Sequence, residues 1–290
     1  MHASMAAVSL PAAPAYVPPP PPERRPTRWW LVAIVVAWAL VLTGLAVWSV
    51  REDPPTVPEQ RNIAEALPVL HRAAGAVVQA ADGPDRVIEI GAVTYDRECG
   101  LTPVRGGVEA IQDVTVRVRA DEAFGVLDSI ERGLPAAYEP AIRHNREDTR
   151  HVLRADAGEF VGIEADVEAG STSFSLRIST GCRAAADIAP SGIGRVPPPA
   201  FEAAARALGG TGEAAGDVTV SCPNGKTATS FTAEGLTAPR DLGVALREVS
   251  AGALVVQAEP HAWAYRAGEV SVVVRDGDGT ARVSATAGCR

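Results

Sequence analysis

The chain has 290 residues and a net charge of −8, from 27 basic and 35 acidic side chains. Residues 1–28 carry +2 and residues 29–50 carry no charge, so the remainder stands at −10, which excludes the basic footprint needed by nucleic acid or by adsorption to an anionic membrane. Lys226 is the single Lys among 27 basic residues, and Ala, Val, Gly and Pro are abundant; this follows the GC-rich codon bias of high-GC bacteria, so the Arg surplus says nothing about phosphate or carboxylate recognition.

Residues 1–28 are low-complexity and contain five consecutive prolines, Pro18 to Pro22. Such a segment cannot build a packed core and is expected to be a disordered cytoplasmic tail with local polyproline II. Trp29 to Val50 follows, 22 residues without a charged side chain. At a rise of ~1.5 Å per residue it crosses the ~30 Å hydrocarbon core of a bilayer. Arg24, Arg25 and Arg28 precede it, whereas Arg51 is offset by Glu52 and Asp53. Positive charge is held in the cytoplasm, which places the N-terminus inside and residues 51–290 outside. Trp29, Trp30 and Trp48 lie at the ends, where indoles favour the headgroup level. A cleaved signal peptide would need a shorter run and small residues at its end; here the run ends Leu45-Ala46-Val47-Trp48, so an uncleaved anchor in the plasma membrane is expected.

Residues 51–58 form a proline-containing spacer. A helix is expected from Glu59 to about Ala81, with Ile63, Ala66, Leu67, Leu70, Ala74, Val77 and Val78 on one face and a kink or split at Pro68. Val87 to Ile90 and Val93 to Cys99 read as one strand bulged at Gly91. Val114, Val116 and Val118 alternate with polar residues as a half-buried strand. Asp121 is expected to cap a short helix reaching Leu134. His151 to Ala155, Glu159 to Val167 and Ser173 to Thr180 read as strands. Beyond Val196 to Pro199, a helix is expected over Phe201 to Leu208. A hairpin follows, Asp217 to Cys222 with Thr227 to Thr232, and then a helix over Asp241 to Val249. Strands are expected at Leu254 to Glu259, Val270 to Val274 and Ala281 to Thr286.

The two halves read alike. Ser173 to Arg183 aligns with Thr280 to Arg290, each ending Gly-Cys-Arg, and Phe124 to Leu127 aligns with Leu242 to Ala245. The expected architecture is therefore α+β: a transmembrane helix, then two repeated domains over 59–195 and 196–290, each a mainly antiparallel sheet with helices on one face. Cys99, Cys182, Cys222 and Cys289 all fall outside the membrane, an even set in an exported region. Self-contained copies require Cys99–Cys182 and Cys222–Cys289. No C-x-x-C spacing suggests a redox or zinc site.

Chemical motifs are sparse. Gly225-Lys226-Thr227 lacks the preceding glycine of a phosphate-binding loop, and Asp276-Gly277-Asp278-Gly279 lacks the later ligands of a calcium loop. The histidines have no metal-binding spacing in sequence, and no G-x-S-x-G elbow occurs. No catalytic residue, cofactor or metal is expected. The polar stretch Tyr138 to Arg150, extra in the first copy, is the expected partner-binding loop, through His144, Asn145, Arg146, Arg150 and His151. The function expected is binding or scaffolding by a membrane-anchored envelope protein whose partner is a protein or envelope ligand. The alternative is an extracytoplasmic hydrolase of cell-wall material, marked by a cleft with catalytic groups in hydrogen-bond reach.

Overall fold

The computed structural model describes residues 29–52, 61–188, 194–277 and 279–289. The expected proline-rich tail and most of the spacer lie outside the described residues. The chain divides into two units, residues 1–54 and residues 55–290. The first contains helix α1, Trp29–Glu52. Every side chain described along it is exposed, and its apolar residues go all the way round. It is the single helix among the described residues that is long and apolar enough to cross a membrane. The hydroxyl of Thr43 is satisfied within the helix, its Oγ1 donating to Ala39 O at 2.7 Å.

The second unit is sheet-rich and antiparallel, with few helices. It begins with α2, Ile63–Ala81. Asn62 caps it in a reciprocal box: Asn62 Oδ1 accepts from Glu65 N at 3.1 Å, and Glu65 Oε2 accepts from Asn62 N at 3.2 Å. Pro68 does not split this helix. Pro68 sits on the exposed side of the helix, where the carbonyl that loses its donor can face water, while Ile63, Leu70, Ala74 and Val77 on the other sides are fully buried.

The first sheet comprises β1 (Val87–Ile90), β2 (Thr94–Asp96), β5 (Val108–Arg117), β6 (Ala141–His144), β7 (Arg150–Asp156), β8 (Gly162–Glu168) and β9 (Ser173–Arg183); a small ribbon, β3 (Gly100–Thr102) with β4 (Arg105–Gly106), stands apart. Its order is β1-β5-β9-β8-β7-β6, with β2 also on β5. The expected bulged strand is thus two short strands on one partner, joined where Gly91 N donates to Asp113 O at 2.8 Å. Helix α3 (Ala123–Gly133) lies between β5 and β6. Asp121 does not cap it: its own φ is +66°, and Glu122 takes the cap position without a side-chain bond. β8 starts later than the sequence pattern suggests because Gly158, Glu159 and Phe160 all take positive φ in the preceding turn.

The second sheet comprises β10 (Gly216–Ser221), β11 (Thr227–Thr237), β12 (Leu254–Glu259), β13 (Ala262–Ala267), β14 (Val270–Gly277) and β15 (Thr280–Ala287), in the order β10-β11-β15-β14-β13-β12. Helix α4 (Pro199–Ala207) precedes it, with Pro at its first position, and α5 (Leu242–Ala245) follows β11. The helix expected to reach Val249 is therefore a single turn, followed by further turns. On one face, Phe201, Leu208 and Leu242 close a core with Phe231, Tyr265 and Val274.

The other face of this sheet meets the first half. Val220, Cys222 and Ala228 join α2 and the inner face of the first sheet in one core. The approach is close enough that a Cβ on Gly75 would lie 1.9 Å from Ser221 O. A row of hydroxyls crosses three strands, Ser230, Thr286 and Ser271 in register; Thr286 Oγ1 donates to Ser230 Oγ at 3.0 Å, and Ser271 Oγ accepts from Ile88 N of β1 at 3.0 Å. Beside it, buried Glu89 faces Arg117 at 3.5 Å and Arg275 at 3.2 Å, and Arg117 donates to Gln257 Oε1 at 2.9 Å. Arg266 closes on Asp82 at 2.8 Å.

The disulfides are Cys99–Cys182 and Cys222–Cys289, with Cα atoms 5.8 and 5.9 Å apart. Each joins an early segment of its half to the last strand or its end. Replacing both cysteines of either pair with Ser is expected to lower unfolding stability by about 2–5 kcal/mol, read from denaturant titration. Because Cys222 belongs to the core shared with α2, losing its bridge should speed amide exchange in α2 as well as in β10; protection unchanged in α2 would contradict a shared core. Gly75→Ala is expected to cost about 3 kcal/mol, the upper end of overpacking. Gly125→Ala, on an exposed helical position with nothing within 4 Å of the added carbon, should instead gain about 0.5–1 kcal/mol. Equal effects at the two glycines in thermal melts would refute the close contact.

Candidate functional site

The stretch expected to be an extra loop is a hairpin. β6 and β7 pair antiparallel through Ala141–Arg154, Ile142–Leu153, Arg143–Val152 and His144–His151. Its counterpart, β12 with β13, occupies the same place in the second sheet and turns tightly at Pro260 and His261. The first half therefore has no additional element here; it has a longer tip, residues 145–149.

Asn145 builds that tip. Its Oδ1 accepts from Thr149 N at 2.8 Å and Arg150 N at 3.1 Å, and its Nδ2 donates to Thr149 Oγ1 at 2.8 Å. Asp148 takes a left-handed conformation, φ +53°, which short polar side chains tolerate. Because His144 and His151 are register partners, they point to the same face although six residues separate them in sequence. Their ring centroids are 4.9 Å apart.

His151 is buried, with 7% of its surface exposed, and lies flat on Phe124 of α3 with centroids 3.8 Å apart. Its Nε2 is 2.9 Å from Asp148 Oδ1. His144 and Asp148 are exposed, and one ligand atom from each of the three residues falls within 4.8 Å of the others. Asp148 was not among the residues expected to form the binding loop, and Phe124 was expected only on the apolar face of its helix. The signal for Asp148 was a short carboxylate between two histidines, visible only if the hairpin register is known. Arg150 is drawn away from this cluster by a two-pronged pair with Asp166 on β8, and its guanidinium holds the Asp166 carboxyl below the usual carboxylate range. Arg146 is exposed on the tip.

The remaining motifs resolve locally. Lys226 follows a turn in which its N–H donates to Asn224 Oδ1 at 3.0 Å. Asp276 is engaged by His261, whose Nδ1 lies 2.9 and 3.1 Å from the two carboxylate oxygens; Asp278 lies outside the described residues. Tyr265, buried in the second core, has its phenol pushed up to about 12 by burial, so it is not an acid or base near neutral pH.

The bond to Asp276 raises the pKa of His261 above 6.5, with the Asp276 charge adding to it. The raised value belongs to the folded state, so its stabilisation is complete below pH 6.5 and fades as pH rises through the folded value. Imidazole NMR titration is expected to place His261 above 6.5 and to return it to about 6.5 in Asp276→Asn. An unmoved midpoint would show that the pair does not form in solution. No protein family, curated protein or solved structure matches the chain.

Proposed function

We propose that this is a single-pass protein of the bacterial envelope that works by binding or scaffolding. Its N-terminus lies in the cytoplasm, α1 remains uncleaved in the plasma membrane, and the body stands outside. The observation that carries this reading is the pairing of one apolar helix with two disulfides closed inside the body. Structural disulfides persist where thiols are not kept reduced, which is the side the charge asymmetry around α1 assigns to the body.

The body is a tandem of one unit. Its strand orders match position by position, β1-β5-β9-β8-β7-β6 against β10-β11-β15-β14-β13-β12, with a helix before the first strand and another between the second and third. The aligned Gly-Cys-Arg ends fall at the close of the equivalent strands β9 and β15. Among the described residues the copies differ in β2 and the β3–β4 ribbon, which only the first has, and at the β6–β7 tip; of these the tip, an exposed polar turn, is the recognition surface.

A reporter active only outside the cytoplasm, fused after Arg290, should be active, and N-terminal sequencing of the mature chain should begin before α1. A start beyond Val50 would replace the anchor by a signal sequence. Crosslinking in membranes tests the tip: exchanging residues 145–149 for a two-residue Asn-Gly turn should abolish partner capture while the melting temperature holds within a few degrees. Capture that survives the exchange removes the tip from the interaction.

A further inference from the structure

We propose that the β6–β7 hairpin tip is a binding site for one divalent transition-metal ion of the zinc type, held by His144, Asp148 and His151. This does not rest on the membrane topology or on partner binding.

Two imidazoles and one carboxylate are a borderline-soft N₂O donor set, suited to zinc and its neighbours rather than to calcium or magnesium, which take oxygen cages. The three residues come from three different features of one hairpin: the last residue of β6, the turn, and the second residue of β7. His151 is the fixed point. Packing against Phe124 sets its ring plane, and its Nδ1 is buried without a protein partner, so Nε2 is the edge it offers to the turn. Asp148 already meets that nitrogen at 2.9 Å, in a turn braced by the Asn145 side chain. Bonds of ~2.0–2.1 Å put tetrahedral ligand atoms ~3.3 Å apart. Closing the set from its 4.8 Å spread to that edge requires rotation of His144 and Asp148, whose side chains are both exposed. Arg150, the cation next in sequence to His151, is engaged by Asp166 on the neighbouring strand. Three protein ligands leave a fourth position for water or for a side chain of a bound partner.

The test uses the full chain, purified without a histidine tag in detergent and stripped with chelator. Zinc is titrated in competition with a chromophoric chelator, and cobalt(II) substitution is followed by visible absorption. One equivalent of zinc is expected to bind, with cobalt bands of tetrahedral intensity. His144→Ala and Asp148→Asn, both at exposed positions, should each weaken binding tenfold or more and remove those bands without changing the circular dichroism spectrum. His261→Ala and His2→Ala should bind as the parent does. No saturable equivalent, or affinity unchanged by both His144→Ala and Asp148→Asn, overturns the site. Loss of binding in His2→Ala or His261→Ala with the hairpin variants unaffected assigns the metal elsewhere and overturns it equally.

Discussion

The fold of the body depends on α2 having two coats. One side of this helix covers the first sheet, and another touches β10 and β11 of the second. A helix placed so has little room for side chains on both sides. It is built mainly from Ala, Val and Leu, and it carries a glycine where Ser221 comes closest. Full burial of a Leu or Val is worth about 1.5–3 kcal/mol, so Leu70, Val77 and Val78, fully buried in the core that also holds Val220 and Ala228, contribute more to that core than an ion pair would. The continuity of α2 through Pro68 follows from this. Tertiary burial on several sides outweighs the hydrogen bond that proline removes from the exposed side.

Elsewhere the halves meet through a small apolar patch, Val87 with Val256, Ala264 and Val273, and through a polar cluster. Glu89, Arg117 and Arg275 share charge at the edge of β1, and Gln257 takes one arm of Arg117. Desolvating such groups costs several kcal/mol for each ion, so the cluster adds little net stability beyond an apolar substitute. What it does is penalise misplacement, because sliding β1 along the second sheet would strand buried charge. The hydroxyl row ending at Ser271 acts likewise, since it offers Ile88 N an acceptor at one register only.

The two sheets share a strand order but differ at a hairpin tip. β6–β7 and β12–β13 occupy equivalent edges of their sheets. Between β12 and β13 the turn is tight, and His261 is tied to Asp276 of the next strand. Between β6 and β7 the longer turn lifts Asp148 over two facing histidines, on a ring anchored to α3. A few additional turn residues therefore change the chemistry at the edge without disturbing the strands beneath.

Much of this was legible in the residues themselves. The uncharged run 29–50 declared α1 by length and composition, and the alternation at Val114, Val116 and Val118 declared β5, because strand and helix periods are local properties. The disulfide pairing followed from requiring each repeated copy to be self-contained. The strands β6 and β13 were not legible. β6 is an exposed edge strand, and the six residues of β13 are half Ala, so neither has the hydrophobic alternation that marks a half-buried strand. The histidine cluster was hidden for a further reason. Metal-binding spacing on a helix is written in sequence as three or four residues, but across a hairpin it is set by register and turn length, which only the pairing of His144 with His151 decides. The packing of both sheets on α2 was equally a matter of tertiary structure. An amphipathic pattern shows that a helix buries a face, and the three-dimensional fold alone determines how many partners share it.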